Sequence, residues 1–198
     1  VNEIIDYKHI IINNMFRLSS LKPQRFNSLF RNINMSNYKN YVVPKVGPGE
    51  LNVNSRHEDH RARILSNLVN RPFEMNGQMF ASVEAFFAGT LYPPEHPRHR
   101  RGFAVCYALS QKYVREGNRE NVWWNGKIYK YGSQEHKDLC EQAILESMLQ
   151  NLDRKEALLA TKGLVLRHET GFEQPKDTFL TKHEFCDILT RIREKLDQ

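Results

Sequence analysis

Hydrophobic positions along the chain fall into short blocks separated by turn residues, and two of these blocks carry the same signature. Between Arg71 and Phe80, Asn76-Gly77 separates Phe73 and Met75 from Met79 and Phe80. Asn and Gly supply the positive φ angles of a tight two-residue turn, so this block predicts a β-hairpin. Trp123 to Tyr129 repeats the scheme, with Asn125-Gly126 between Val122-Trp123-Trp124 and Ile128-Tyr129, and predicts a second.

The remaining apolar pattern has helical spacing. Ser82 is the expected N-cap of a helix carrying Phe86 and Phe87, which Pro93, Pro94 and Pro97 end. Val105, Leu109 and Tyr113 recur at every fourth position and predict one helix over 101–115, stopped by Gly117. Ser133 caps a helix reaching Gln150, with Leu139, Ala143, Ile144 and Met148 on one face, and a further helix over 154–161 ends at Gly163. Thr181 and Glu184 form a capping box ahead of a stripe of Phe185, Ile188, Leu189, Ile192 and Leu196. These stripes read as core. Near the start, Pro44, Gly47, Pro48 and Gly49 limit Tyr41 to Val43 to a short strand at most. Residues 1–34 hold no sustained period beyond a short helix around Phe26 to Ile33. The expected division is an appendage over 1–34 and an ordered domain over 35–198 that opens at Met35.

With 198 residues, 40% of them hydrophobic, the chain can bury one sizeable core. No apolar run approaches the roughly 18 residues of a membrane-spanning helix, and no signal-peptide pattern opens the sequence. Cys106, Cys140 and Cys186 are odd in number and far apart. Cytoplasmic free thiols and no membrane partner are therefore expected. A net charge of +6 is compatible with a polyanionic partner and equally with a mildly basic surface, since half of the excess sits in residues 1–34.

The common chemical templates are absent: there is no glycine-rich phosphate loop, no Gly-x-Ser-x-Gly and no Cys-x-x-Cys. His57-Glu58-Asp59-His60 crowds four ligand types, but histidines at this spacing recur in loops that hold no metal, so neither a metal nor a cofactor is expected. The run Arg98-His99-Arg100-Arg101 reads either as a phosphate contact or as a solvated turn. Glu84, at the second position of the helix opened by Ser82, reads on spacing alone as a carboxylate complementing the helix dipole. The same free amides would hold it ionised, as an electrostatic stabiliser or base rather than a general acid. Ser66-Asn67 and Tyr131-Gly132-Ser133 are small polar groups at element ends, by themselves ordinary caps and turns.

Taken in order, these segments resemble the NADAR (YbiA-like) family, specifically a branch seen in bacteria and their phages. The series begins with Asn52-Val53-Asn54-Ser55-Arg56, Leu65-Ser66-Asn67, Pro72-Phe73 with Asn76-Gly77, and Ser82-Val83-Glu84-Ala85-Phe86-Phe87. It continues through Tyr131-Gly132-Ser133 with Glu135-His136, Ala143-Ile144, Gln150-Asn151, Leu158-Leu159-Ala160-Thr161, His168-Glu169 with Gly171, and Ile192-Arg193-Glu194. The resemblance implies a compact α+β single domain, mainly helical with small β-hairpins, that cleaves N-glycosidic bonds between a ribose carbon and nitrogen. Some members remove ADP-ribose from guanine in nucleic acids, in cases as antitoxins to a DNA-modifying transferase; others cut early riboflavin-pathway intermediates. The implied function here is a hydrolase releasing ADP-ribose from guanine in DNA, RNA or a nucleotide, as an antitoxin or counter-defence activity. A cognate ADP-ribosyltransferase toxin is the implied protein partner. The alternatives are an N-glycosidase of a ribosylamino pyrimidine and a non-catalytic ADP-ribose-binding module.

Either chemistry passes through an oxocarbenium-like ribose, whose charge a carboxylate beside the anomeric carbon stabilises. Glu84 matches the family's functional glutamate. Asn54, Ser55, Arg56, Ser66 and Asn67 match positions near the ligand, with Arg56 suited to phosphate and Asn67 to base or ribose. Phe87 and the Tyr131, Gly132 and Ser133 turn complete the implied pocket. Tyr131 falls within a residue of a base-stacking tryptophan, and Trp124 is the alternative stacker. His168 and Glu169, with Glu173 beyond, stand near the family's acidic residue before Trp-Gly. Leu91 occupies the place where many members have lysine. Lys45, Lys127 and Lys130 are the candidates to replace it, and the departure keeps a binding-only role open.

Overall fold

From Glu50 onward the chain runs β1 (Glu50–Asn52), α1 (His60–Leu65), β2 (Phe73–Met75), β3 (Gln78–Phe80), α2 (Val83–Thr90), α3 (Pro97–Ala104) and α4 (Tyr107–Glu116). It continues through β4 (Asn121–Trp124), β5 (Lys127–Lys130), α5 (Gln134–Gln150), α6 (Leu152–Leu159), β6 (Val165–Arg167), a 3-10 turn at Pro175–Asp177 and α7 (Lys182–Leu196). The structure, a computed structural model, describes residues 42–198 except Cys106, and of Tyr107 and Ala108 the backbone alone. The expected appendage, the helix around Phe26 to Ile33 and the start at Met35 lie outside the described residues. Val42 and Val43 are not in a strand. The fold is α+β and mainly helical, as expected.

Both predicted hairpins form. Phe73 pairs with Phe80 and Trp123 with Ile128, and the turns place Asn76 at φ 52°, Gly77 at 75°, Asn125 at 48° and Gly126 at 73°. The predicted caps are equally local. Ser82 Oγ accepts from the Ala85 N–H at 3.1 Å, Ser133 Oγ from His136 N–H at 3.3 Å, and Thr181 with Glu184 closes a full capping box.

The single helix expected over 101–115 is instead two. Val105 is extended, at φ −89° and ψ 157°, between α3 and α4. The cause is non-local: the Phe103 carbonyl accepts from the Ala81 N–H at 2.8 Å, which removes it from the helical ladder, while its ring packs on Phe80 at 4.9 Å. Pro97 follows α2 as expected but also opens α3, where its missing N–H costs nothing. The α6 helix begins two residues before the expected position, at Leu152. Not anticipated from the sequence were α1, capped by Asp59, the strands β1 and β6 with their parallel pairing, and the 3-10 turn.

Phe73, Phe80, Phe86, Phe103 and Trp124 form the aromatic centre of the core. Alongside it, α2 and α3 approach so closely that a Cβ on Gly102 would sit 2.4 Å from Gly89 Cα. Alanine is worth roughly 1 kcal/mol over glycine inside a helix, but a backbone overlap of this size outweighs that gain. Gly102→Ala is therefore expected to destabilise by about 1–3 kcal/mol, read as a lower urea midpoint at unchanged m-value. A variant as stable as the parent would contradict the packing.

Candidate functional site

The turn after α1 is held against the N-terminus of α2, where the Glu84 N–H donates to the Asn67 carbonyl at 3.0 Å. Glu84 thus sits beside Ser66-Asn67, half-buried, with first-turn amides already engaged by Asn67 and Ser82. This corrects the expectation of a firmly ionised carboxylate. Burial strips water from the group and pushes its pKa up to about 7, with the positive charge of Arg115 offsetting part of the effect. At neutral pH both protonation states are populated.

An aromatic wall leads from α2 to the second predicted segment. Phe87, one turn after Glu84, stacks on Phe179 at 4.5 Å with an 8° interplanar angle. Phe179 meets Tyr131 edge-on at 5.4 Å, and Tyr131 lies over His136 at 5.0 Å. Phe87 is buried and engaged with Phe179, so it backs the site rather than lining it. Gly132 and Ser133 build the turn that carries Tyr131. Gly132 takes φ 78°, which favours glycine, and its N–H donates to His136 Nδ1 at 3.1 Å. Burial pulls His136 down to about 4, so the ring is neutral, with its proton on Nε2 facing Cys140 Sγ at 3.6 Å.

Among the described residues, three buried side-chain atoms lack a hydrogen-bond partner: Asn67 Oδ1, Arg119 Nε and the Tyr131 hydroxyl. Asn67 and Tyr131 belong to the two segments just described. Each such group costs about 1–3 kcal/mol when left unpaired, a cost retained where a ligand supplies the partner. Arg119 interacts with Tyr131, as Arg115 does with Glu84. Neither arginine was a sequence candidate. Their only signal was two cations four residues apart, Arg115 in the last turn of α4 and Arg119 just past it.

Trp124 is not a stacker. It is 7% exposed and enclosed by Phe80 at 5.3 Å, Phe86 at 5.4 Å and Phe103 at 6.0 Å. Leu91 is wholly buried against Gly117, where an added Cβ would lie 2.7 Å from it, so this place in the chain belongs to the core. Lys45, Lys127 and Lys130 are all exposed.

Asn54, Ser55, Arg56, His168 and Glu169 form a second group on the β1–β6 pair. Asn54 accepts from the Arg56 N–H at 2.9 Å and donates to Thr170 Oγ1 at 3.0 Å. His168 Nδ1 lies 2.7 Å from the Val53 carbonyl and its burial lowers its pKa, which marks a neutral ring donating from Nδ1. The Glu169 N–H donates to Asn52 Oδ1 at 3.1 Å, and its carboxylate shares Lys182 with Glu173. Asn54 and His168 thus shape the loop that carries Ser55 and Arg56. A cavity of about 240 Å³ between β6 and α7 includes His168, Glu169 and Lys182.

The other candidate runs are partly engaged in the fold. Arg98 packs over Tyr113 at 4.9 Å and pairs with Glu116 at 2.8 Å, and His99 Nδ1 lies 2.7 Å from the Tyr92 carbonyl, so half of that basic run is engaged internally. His57 accepts from the Asp59 N–H, and Asp59 binds Arg61. Among the described residues, no group of metal-ligating side chains is assembled and no helix is long and apolar enough to cross a membrane. Cys140 and Cys186 are free and buried, and Cys106 lies outside the described residues.

A family profile described as bacteriophage protein GP30.3 matches residues 59–194. An uncharacterized 17.1 kDa protein from the Gp30-rIII intergenic region of Enterobacteria phage T4 is 34% identical over 137 residues, covering 67% of this chain and 90% of that one. The NMR structure of the E. coli protein YbiA superposes with a TM-score of 0.51 at 17% identity, covering 71% of this chain and 80% of the other.

Proposed function

Because the chain belongs to the bacteriophage GP30.3 family and has the YbiA fold, we propose that it is an N-glycosidase releasing ADP-ribose from guanine in a nucleic acid or nucleotide. The observation that carries this reading is Glu84, a half-buried carboxylate with a pKa near 7, beside a turn that leaves Asn67 Oδ1 unpaired. In the reaction, the bond between the ribose anomeric carbon and the guanine nitrogen breaks, and its electron pair leaves with the base. The ionised Glu84 stabilises the developing oxocarbenium charge and takes a proton from the attacking water, whose oxygen bonds to the anomeric carbon. Proton uptake by guanine completes the balance.

With the carboxylate as the working form, kcat/KM rises about tenfold per pH unit below pH 7 and levels off above it. A pH–rate profile that falls through pH 7 would instead make Glu84 a general acid.

Mass spectrometry of a guanine-ADP-ribosylated oligonucleotide incubated with the protein tests the activity, with a ribosylamino pyrimidine as the parallel small substrate. Loss of the ADP-ribose mass from the oligonucleotide supports the reading. Cleavage of the small substrate alone places the protein with the riboflavin-type enzymes. The replacement of the family's lysine by Leu91 keeps one further outcome open, ADP-ribose binding without cleavage, which calorimetry distinguishes from no binding.

A further inference from the structure

We infer that Arg119 Nε and the Tyr131 hydroxyl form a seat for phosphate oxygens, taking the diphosphate of the ADP-ribose group in the reaction proposed above, on which this assignment rests. An arginine Nε–H can only donate. The Arg119 guanidinium reaches the Val114 carbonyl through Nη2, at a long 3.5 Å, and faces the Tyr131 hydroxyl, while its buried Nε–H has no well-formed hydrogen bond. Beside it, the buried Tyr131 hydroxyl faces the Arg119 guanidinium, but burial outweighs that charge and holds its pKa well above the usual phenol range, so it remains neutral with its own O–H still to donate. Two adjacent donors, one carried by a cation, fit an anionic oxygen. The nearby carboxylate of Asp177 acts on Tyr131 more weakly than Arg119 does.

The third unpaired atom has the opposite polarity. Asn67 Oδ1 accepts, and an ionised diphosphate has no hydrogen to offer it, so Asn67 belongs to a ribose hydroxyl or a guanine N–H. This division assigns donors to one part of the ligand and the acceptor to another. The cation of this seat comes from the segment after α4.

The test is titration of the protein followed through the arginine Nε–Hε NMR signals, with inorganic pyrophosphate, ADP-ribose, guanosine and an unmodified oligonucleotide as probes. The Arg119 signal is expected to move with pyrophosphate and ADP-ribose and not with guanosine. Arg119→Lys, which keeps the charge but loses the planar donor, is expected to weaken both phosphate ligands by about tenfold or more, and Tyr131→Phe by a smaller factor with the fold intact. A stronger response to the unmodified oligonucleotide than to ADP-ribose would assign the seat to the nucleic-acid backbone and overturn the diphosphate assignment. An unmoved Arg119 signal, unchanged affinity in Arg119→Lys, or a response to guanosine alone would overturn the phosphate seat. Because pyrophosphate binding needs no turnover, a protein that binds it at Arg119 yet leaves the modified oligonucleotide uncut would refute the glycosidase reading and not the seat.

Discussion

Glu84→Gln is expected to lower turnover of the ADP-ribosylated substrate by about a thousandfold or more, because in the proposed reaction Glu84 stabilises the oxocarbenium charge and accepts the water proton. The substitution is isosteric and leaves the Glu84 N–H to Asn67 contact in the backbone. Stability moves the other way. Burial raises the Glu84 pKa from 4.5 to about 7 in the folded protein, so stability is full below the lower value and is lost as pH rises through the upper one. Glutamine has no proton to lose. At pH 8 the variant is therefore expected to be more stable than the parent by about 1–3 kcal/mol, with the gap closing below pH 4. Urea melts at both pH values check this. An inactive variant that is also less stable at pH 8 would point to damaged folding instead of lost chemistry.

The largest expected loss of stability comes from Arg154→Met, at about 3–5 kcal/mol. Arg154 is wholly buried, and its guanidinium donates to the Ile64 carbonyl at 3.1 Å, the Leu65 carbonyl at 3.1 Å and Ser147 Oγ at 2.6 Å. Burial pulls its pKa down only to about 10, so it stays charged at neutral pH. The two carbonyls end α1, where a helix leaves its acceptors unpaired, and Arg154 supplies the missing donors from α6. Methionine keeps much of the volume but strands these acceptors in the core. The α1 end leads directly into Ser66-Asn67, so binding should weaken along with the melting midpoint. A midpoint within the error of the parent would contradict this account.

Local chemistry was legible in the sequence, and non-local chemistry was not. Asn76-Gly77, Asn125-Gly126, Ser82, Ser133 and the Thr181–Glu184 box each act within four residues, and each formed as read. The break at Val105 depends on an amide from Ala81, and β1 finds β6 more than a hundred residues away; periodicity contains neither fact. The place of Glu84 at a helix start was equally plain, yet its charge state followed from burial, a tertiary property that the dipole argument misses. Trp124 and Tyr131 were both aromatic candidates. The hairpin alternation turns Trp124 into the core, whereas Tyr131 lies just past β5. Arg115 and Arg119 belong to no motif, and only folding sets them by Glu84 and Tyr131.

The central claim is that water cleaves the glycosidic bond of ADP-ribosylguanine at this site. A single-turnover reaction of the modified oligonucleotide in ¹⁸O-labelled water, read by mass spectrometry, tests it most directly. The predicted result is unmodified guanine in the oligonucleotide and free ADP-ribose carrying one ¹⁸O at the anomeric position. An oligonucleotide that retains its ADP-ribose mass, with the protein folded and in excess, would contradict it.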